Sequence, residues 1–129
     1  MKREVVIAKW STLKPRERDA WVAEVVFGKK IGRERRIGGS VYEIGHGGIG
    51  IELDSYTTDI YAAWAAASGI PGEFILFRLL PDKFVASFGY SVEECPECGE
   101  DPFEVTAQGV ASSPAEAICL AALIAKLCP

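Results

Sequence analysis

Apolar positions recur at helical spacing in three stretches of the chain. Ala20, Trp21, Val22, Val25 and Val26 fall along one side of a helix, with Pro15 where a first turn tolerates its missing N–H and Gly28 as the stop. This predicts a helix over residues 16–27. Ile60, Ala63, Trp64 and Ala67 predict a second over 58–68, preceded by capping side chains at Ser55, Thr57, Thr58 and Asp59 and stopped by Gly69 and Pro71. Ser112-Ser113-Pro114 opens a third, over 114–127, which is apolar nearly all round. A helix of that kind must be covered on more than one side, by a sheet and by another helix or a second subunit, so the last helix is expected to help build a homo-oligomer.

Elsewhere the spacing favours strands. Residues 74–80 and 83–90 are β-prone and separated by Pro81-Asp82, good turn chemistry for an antiparallel hairpin, and 103–107 alternate as a third strand. The run Val5-Val6-Ile7-Ala8 reads as a terminal strand over 4–10. Between the first two helices, residues 28–50 hold eight of the thirteen glycines with no sustained period, and read as a long loop with a short hairpin around 41–44. The expected architecture is a single α+β domain over 1–129. An antiparallel sheet of three to four strands is sandwiched between helical layers, in α-loop-α-β-β-β-α order with an extra strand at the N-terminus.

Three blocks carry a resemblance. Arg18-Asp19-Ala20-Trp21-Val22-Ala23-Glu24-Val25-Val26-Phe27-Gly28, Tyr56-Thr57-Thr58-Asp59-Ile60-Tyr61-Ala62-Ala63-Trp64 and Ser113-Pro114-Ala115-Glu116-Ala117-Ile118-Cys119-Leu120-Ala121-Ala122-Leu123 are similar to the phage ABA sandwich domain family. The resemblance covers both ends and the middle of the chain. It implies a small protein encoded by a bacteriophage or prophage, with a sheet between helical layers, and it brings no activity with it. The segment before Arg16, the glycine- and arginine-rich loop and Cys95-Pro96-Glu97-Cys98 depart from the pattern, and a specialised role is expected there.

Composition narrows the classes. With 49% hydrophobic and 25% charged residues, wholesale disorder, collagen and coiled coil are excluded. The longest apolar stretch, 115–127, is interrupted by Glu116 and Lys126 and is shorter than the roughly 20 residues of a membrane span. The apolar run behind the charged N-terminus ends at Lys9 without a small-residue cleavage site, so no secretory signal is expected and the host cytoplasm is the expected compartment. The net charge of -4 conceals eleven Lys/Arg against six Asp/Glu in residues 1–50 and three against twelve in 51–129. A basic half within an acidic protein disfavours coating of nucleic acid but suits a local site for a small phosphorylated ligand. The helix, three strands and helix are similar in order to double-stranded RNA-binding folds. The last helix lacks a basic tract at its start, which argues against that activity.

The loop supplies the candidate chemistry. Lys29, Lys30, Arg33, Arg35 and Arg36 stand among glycines that let backbone N–H groups approach an anion, and arginine presents a planar fork suited to phosphate. The spacing fits neither a Walker loop nor a dinucleotide fingerprint. Gly45-His46-Gly47-Gly48 adds the one histidine, and Tyr56, ahead of a helix cap, could stack on a nucleobase. Trp21 and Trp64 are expected in the core. The expected ligand site is therefore Lys29, Lys30, Arg33, Arg35, Arg36, His46 and Tyr56. No catalytic residue is assigned, because Ser40 or Ser55 beside His46 lacks any elbow motif and the acidic run 93–101 reads as a solvated face. Cys95 and Cys98 could form half of a zinc site with Cys119, Cys128 or His46, yet no second tight pair accompanies them, and neither metal nor cofactor is expected. These features point to a binding protein that sequesters a nucleotide-like anion, for example a signal of bacterial antiphage defence. The alternatives are an accessory factor that binds a host protein and, behind it, a nucleotide-degrading enzyme built around His46.

Overall fold

The computed structural model describes residues 1–34, 40–91 and 103–129. The N-terminal segment is a helix, α1 (Arg3–Thr12), and not the expected strand. Its buried residues are Val6 and Trp10, four apart, while Val5, Ile7, Ala8 and Lys9 are exposed. A strand would bury every second residue, so the helical period matches what the core accepts. α2 (Pro15–Phe27) follows, ended by Gly28 in the left-handed region at φ 66° and by the Lys29 N–H donating to the Ala23 carbonyl at 3.0 Å. Arg18 joins the two helices: Nε donates to the Trp10 carbonyl at 2.9 Å and the guanidinium lies 4.7 Å from the Trp10 ring centre.

The glycine-rich stretch holds more structure than a loop with one hairpin. β1 (Ile31–Arg33), β2 (Val41–Ile44) and β3 (Gly50–Glu52) form an antiparallel sheet in the order β1-β2-β3, with a single 3-10 turn at His46–Gly48 between the last two. These strands are too short to show a period in sequence. After α3 (Ile60–Ser68), β4 (Glu73–Leu80), β5 (Lys83–Ser91) and β6 (Phe103–Ala111) form the second antiparallel sheet, and α4 (Pro114–Leu127) closes the chain. The class is α+β, as expected, with two three-stranded sheets.

α4 is the centre of the molecule. Nine of its residues are buried; β5 and β6 lie on one side, and α1, α2 and α3 pack on the others. The approach to β6 is close because Gly109 has no side chain there: a Cβ on it would stand 2.5 Å from the Ala117 carbonyl and the Ala121 nitrogen. The apolar surface that suggested a subunit contact through α4 is thus covered within the chain. α2 packs against α4 and also carries β1 and β2 of the small sheet. Trp21 is buried as expected. Trp64 is not: it is half exposed, edge-on to Phe74 with ring centres 5.0 Å apart. No helix of the described residues is long and apolar enough to cross a membrane.

Candidate functional site

The three blocks of the resemblance meet at one buried junction. Asp19, 1% exposed on α2, accepts hydrogen bonds from the Thr57 N–H and hydroxyl at 2.8 Å each and from Arg16 Nη1 at 2.9 Å. Arg16 Nη2 also donates to the Leu53 carbonyl at 2.7 Å, and the Cys119 thiol on α4 donates to the Tyr56 carbonyl at 3.2 Å. A carboxylate can be buried when such donors replace its water, and the result here is to clamp the segment between β3 and α3 onto α2 and α4. Its role is structural. Burial, with lesser contributions from Asp19 and Glu116, pushes the Cys119 thiol far above its ordinary range, which disfavours the thiolate that a nucleophile or a metal ligand requires.

The basic residues are divided by this framework. Arg33, on β1, donates to Glu17 at 2.9 Å and lies 3.7 Å from Glu24, both on α2. The Glu17 hydrogen bonds outweigh a desolvation penalty and, with the charges of both glutamates, hold the guanidinium yet more firmly protonated. Its charge is turned toward α2. Tyr56 is 2% exposed and stacked on Phe27 with centroids 5.2 Å apart, so no ring face is open to a base. Its hydroxyl reaches Lys29 Nζ at 3.3 Å. Arg35 and Arg36 lie outside the described residues, as do Cys95 and Cys98.

Lys29, Lys30 and His46 come together. They line a cleft of about 580 Å³ with Gly28, Glu43, Ile44, Gly45, Gly47 and Gly48, between the end of α2 and the turn after β2. Lys29 is held by Glu43 at 3.2 Å and stands 4.0 Å from Asp54. Burial disfavours its charge, but the hydrogen bonds to Tyr56 and Glu43 and their charges outweigh this and raise its pKa above the ordinary 10.5. Lys30 and His46 are exposed. Gly47 and Gly48 have φ values of 74° and 81°, a conformation that L side chains rarely adopt; the Gly48 N–H donates to the Gly45 carbonyl at 3.1 Å and the Gly45 N–H to the Ile49 carbonyl at 2.6 Å, so what the turn offers a ligand is close approach to a backbone without side chains.

A second cleft, of about 460 Å³, shares Gly48 with the first and lies along Tyr42, Gly50, Ile51, Glu52, Glu34 and Ser40. Tyr42 sits across the strands from Gly32 and next to Gly50; a Cβ at Gly32 would collide with the Tyr42 ring, and one at Gly50 would stand 3.3 Å from its Cδ2. The two glycines leave this ring room to lie over the sheet. Sequence reasoning passed over Tyr42, whose signal was the Gly-aromatic-Gly pairing that only strand register reveals. A third cleft, of about 560 Å³ between the starts of α3 and α4, is lined by Thr57, Thr58, Ile60, Ser113, Pro114, Ala115 and Glu116, with no basic side chain among the described residues that line it. Asp59 and Ser113 already cap those helices. Among the described residues no three His, Cys, Asp or Glu side chains gather as a metal site.

No family model matches the chain, and no curated protein matches it. Among solved structures it is similar to a phage protein from Bacillus cereus ATCC 14579, with a TM-score of 0.63 and 19% identity over 88% of each chain. At that identity the likeness establishes the fold.

Proposed function

We propose that this is a phage-encoded binding protein of the ABA sandwich type that sequesters an anionic, nucleotide-like small molecule. The observation that carries the reading is the cleft that gathers Lys29, Lys30 and His46 around the left-handed glycines 47 and 48. A phosphate group fits its chemistry: among the described residues Lys30 and His46 are free of the ion pairs that occupy Lys29 and Arg33, and the glycine turn permits close backbone approach. The phage origin of the similar structure and of the resembled family is the context for an antiphage defence signal as the ligand. Stacking passes from Tyr56 to Tyr42, since a ligand that crosses Gly48 reaches both clefts and can lay a base on the Tyr42 ring with Glu52 near its sugar hydroxyls. Holding without turnover suits the site, because the carboxylate of the cleft, Glu43, is engaged by Lys29 and no serine, threonine or cysteine lines it beside His46 among the described residues.

Calorimetric titration with cyclic dinucleotides, ADP-ribose derivatives and inorganic phosphate tests this. Lys30→Ala and His46→Ala should each weaken the bound nucleotide by about ten- to a hundredfold, the loss of one charge-assisted hydrogen bond, with unfolding midpoints unchanged. Tyr42→Ala should weaken nucleotides and leave phosphate affinity alone. The reading fails if no member of the panel binds, if the variants bind like the wild type, or if the ligand is recovered cleaved.

A further inference from the structure

The second sheet has a face that no helix covers among the described residues. α4 lies on the side of Ala86, Phe88, Ala107 and Gly109. The strand alternation sends Phe77, Val85 and Val110 to the opposite side in one cross-strand row, and Ile75, Ser87 and Gln108 in the next. Ile75, Phe77, Val105 and Val110 are close to half exposed there, although Val85 and Ser87 at the centre are only 4% and 3% exposed. The polar pair in the middle is self-satisfied, with Gln108 Nε2 donating to the Ser87 hydroxyl at 3.1 Å, so it can be covered without stranding a donor. The apolar surface open to water thus lies along the two outer strands, either side of a closed centre, and exposed apolar area of this kind marks an interaction surface.

The charges on that face say what fits it. Among its described residues only Glu73 and Lys83 are charged, and they stand at opposite ends: Glu73 opposite Gly89, held by the Ser91 hydroxyl at 2.6 Å, and Lys83 two positions beyond Val85 along the same strand. Midway between them along the strand direction lies the gap between the Ile75 and Phe77 rows. We propose that the face docks a second copy of this chain. The two sheets stack with the partner turned end for end about a two-fold axis across the strands. That rotation sets each Lys83 near the other copy's Glu73 and each Ile75 row on the other copy's Phe77 row, so the surface is complementary to itself in both charge and shape. A weak self-association of this kind is expected to have a dissociation constant of about micromolar size.

Sedimentation velocity of the full chain from about 1 to about 200 μM, either side of that value, tests the proposal. The wild type should pass from monomer to dimer. Phe77→Glu should be monomeric throughout with an unchanged circular dichroism spectrum. Lys83→Glu and Glu73→Lys, each alone, should weaken self-association at least about tenfold, while an equimolar mixture of the two recovers a mixed dimer, a result that only a contact between copies produces. A wild type that stays monomeric at the highest concentration overturns the proposal. So does a Phe77→Glu chain that dimerises normally, or a mixture that associates no better than its components.

Discussion

At the scale of single residues, the groups that look most chemical are structural. Asp19 is a buried carboxylate with three donors, and its removal strands the Thr57 N–H as well as one face of Arg16. Asp19→Ala should lower stability by about 3 kcal/mol, read from urea unfolding, whereas an exposed carboxylate such as Glu24 should cost well under 1 kcal/mol. The Lys29–Tyr56 pair makes a pH prediction. Burial raises the Tyr56 pKa above the ordinary 10.0 despite the opposing pull of Lys29, and the Lys29 pKa is raised as well. Both groups therefore keep their protons in the folded chain after the unfolded chain has lost them. The stability they contribute is complete below about pH 10 and falls as pH rises through the folded-state values. Tyr56→Phe should flatten that fall when unfolding midpoints are compared between about pH 9 and pH 11. Cys119 should resist iodoacetamide in the native protein and react once urea unfolds it, as peptide mass mapping would show.

Among the elements, α4 and β6 depend on one missing side chain. Gly109→Ala forces a Cβ into the backbone of α4, where neither the Ala117 carbonyl nor the Ala121 nitrogen can yield without bending the helix. We expect a loss of about 1 to 3 kcal/mol by denaturant unfolding. Gly47→Ala meets open space, and its cost, about 1 kcal/mol, comes from the left-handed backbone alone. The contrast separates a glycine needed for packing from one needed for conformation. α1 shows a different dependence: its β-branched run becomes helical because the core offers room for Val6 and Trp10 and nothing at the alternate positions.

For the molecule as a whole, burial is uneven. α4 is enclosed on all sides, whereas the β1-β2-β3 sheet is built of strands of three or four residues with intermediate or full exposure. Hydrogen exchange should therefore be slowest over residues 117–124, at the rate of global unfolding, and orders of magnitude faster in 41–52. Equal protection in the two regions would mean that the small sheet unfolds only with the core. If the cleft holds the proposed ligand, saturation should slow exchange in 41–52 first.

The long helices at both ends of the core and the β4–β5 hairpin were legible in the chain itself, because each runs long enough for its period and its stop signals to exceed chance: Pro15 and Gly28 bound one helix, Ser113 and Pro114 open another, and Pro81-Asp82 turns the hairpin. The gathering of lysines, histidine and glycines between residues 28 and 50 was legible as chemistry, but its division was not. Whether a cation faces a cleft or a glutamate depends on partners far along the chain, such as Glu17 for Arg33, and no local pattern encodes that pairing. The same holds for Tyr56, buried by Phe27 and clamped through Thr57, and for Tyr42, whose half-buried ring lies against Gly32 and Gly50 through strand register. Local spacing determines which backbone hydrogen bonds a segment can make with itself. Which side of each element meets water is decided only when the elements pack, and that choice hid the apolar surface of α4 and left the outer face of β4-β5-β6 without a helix over it among the described residues.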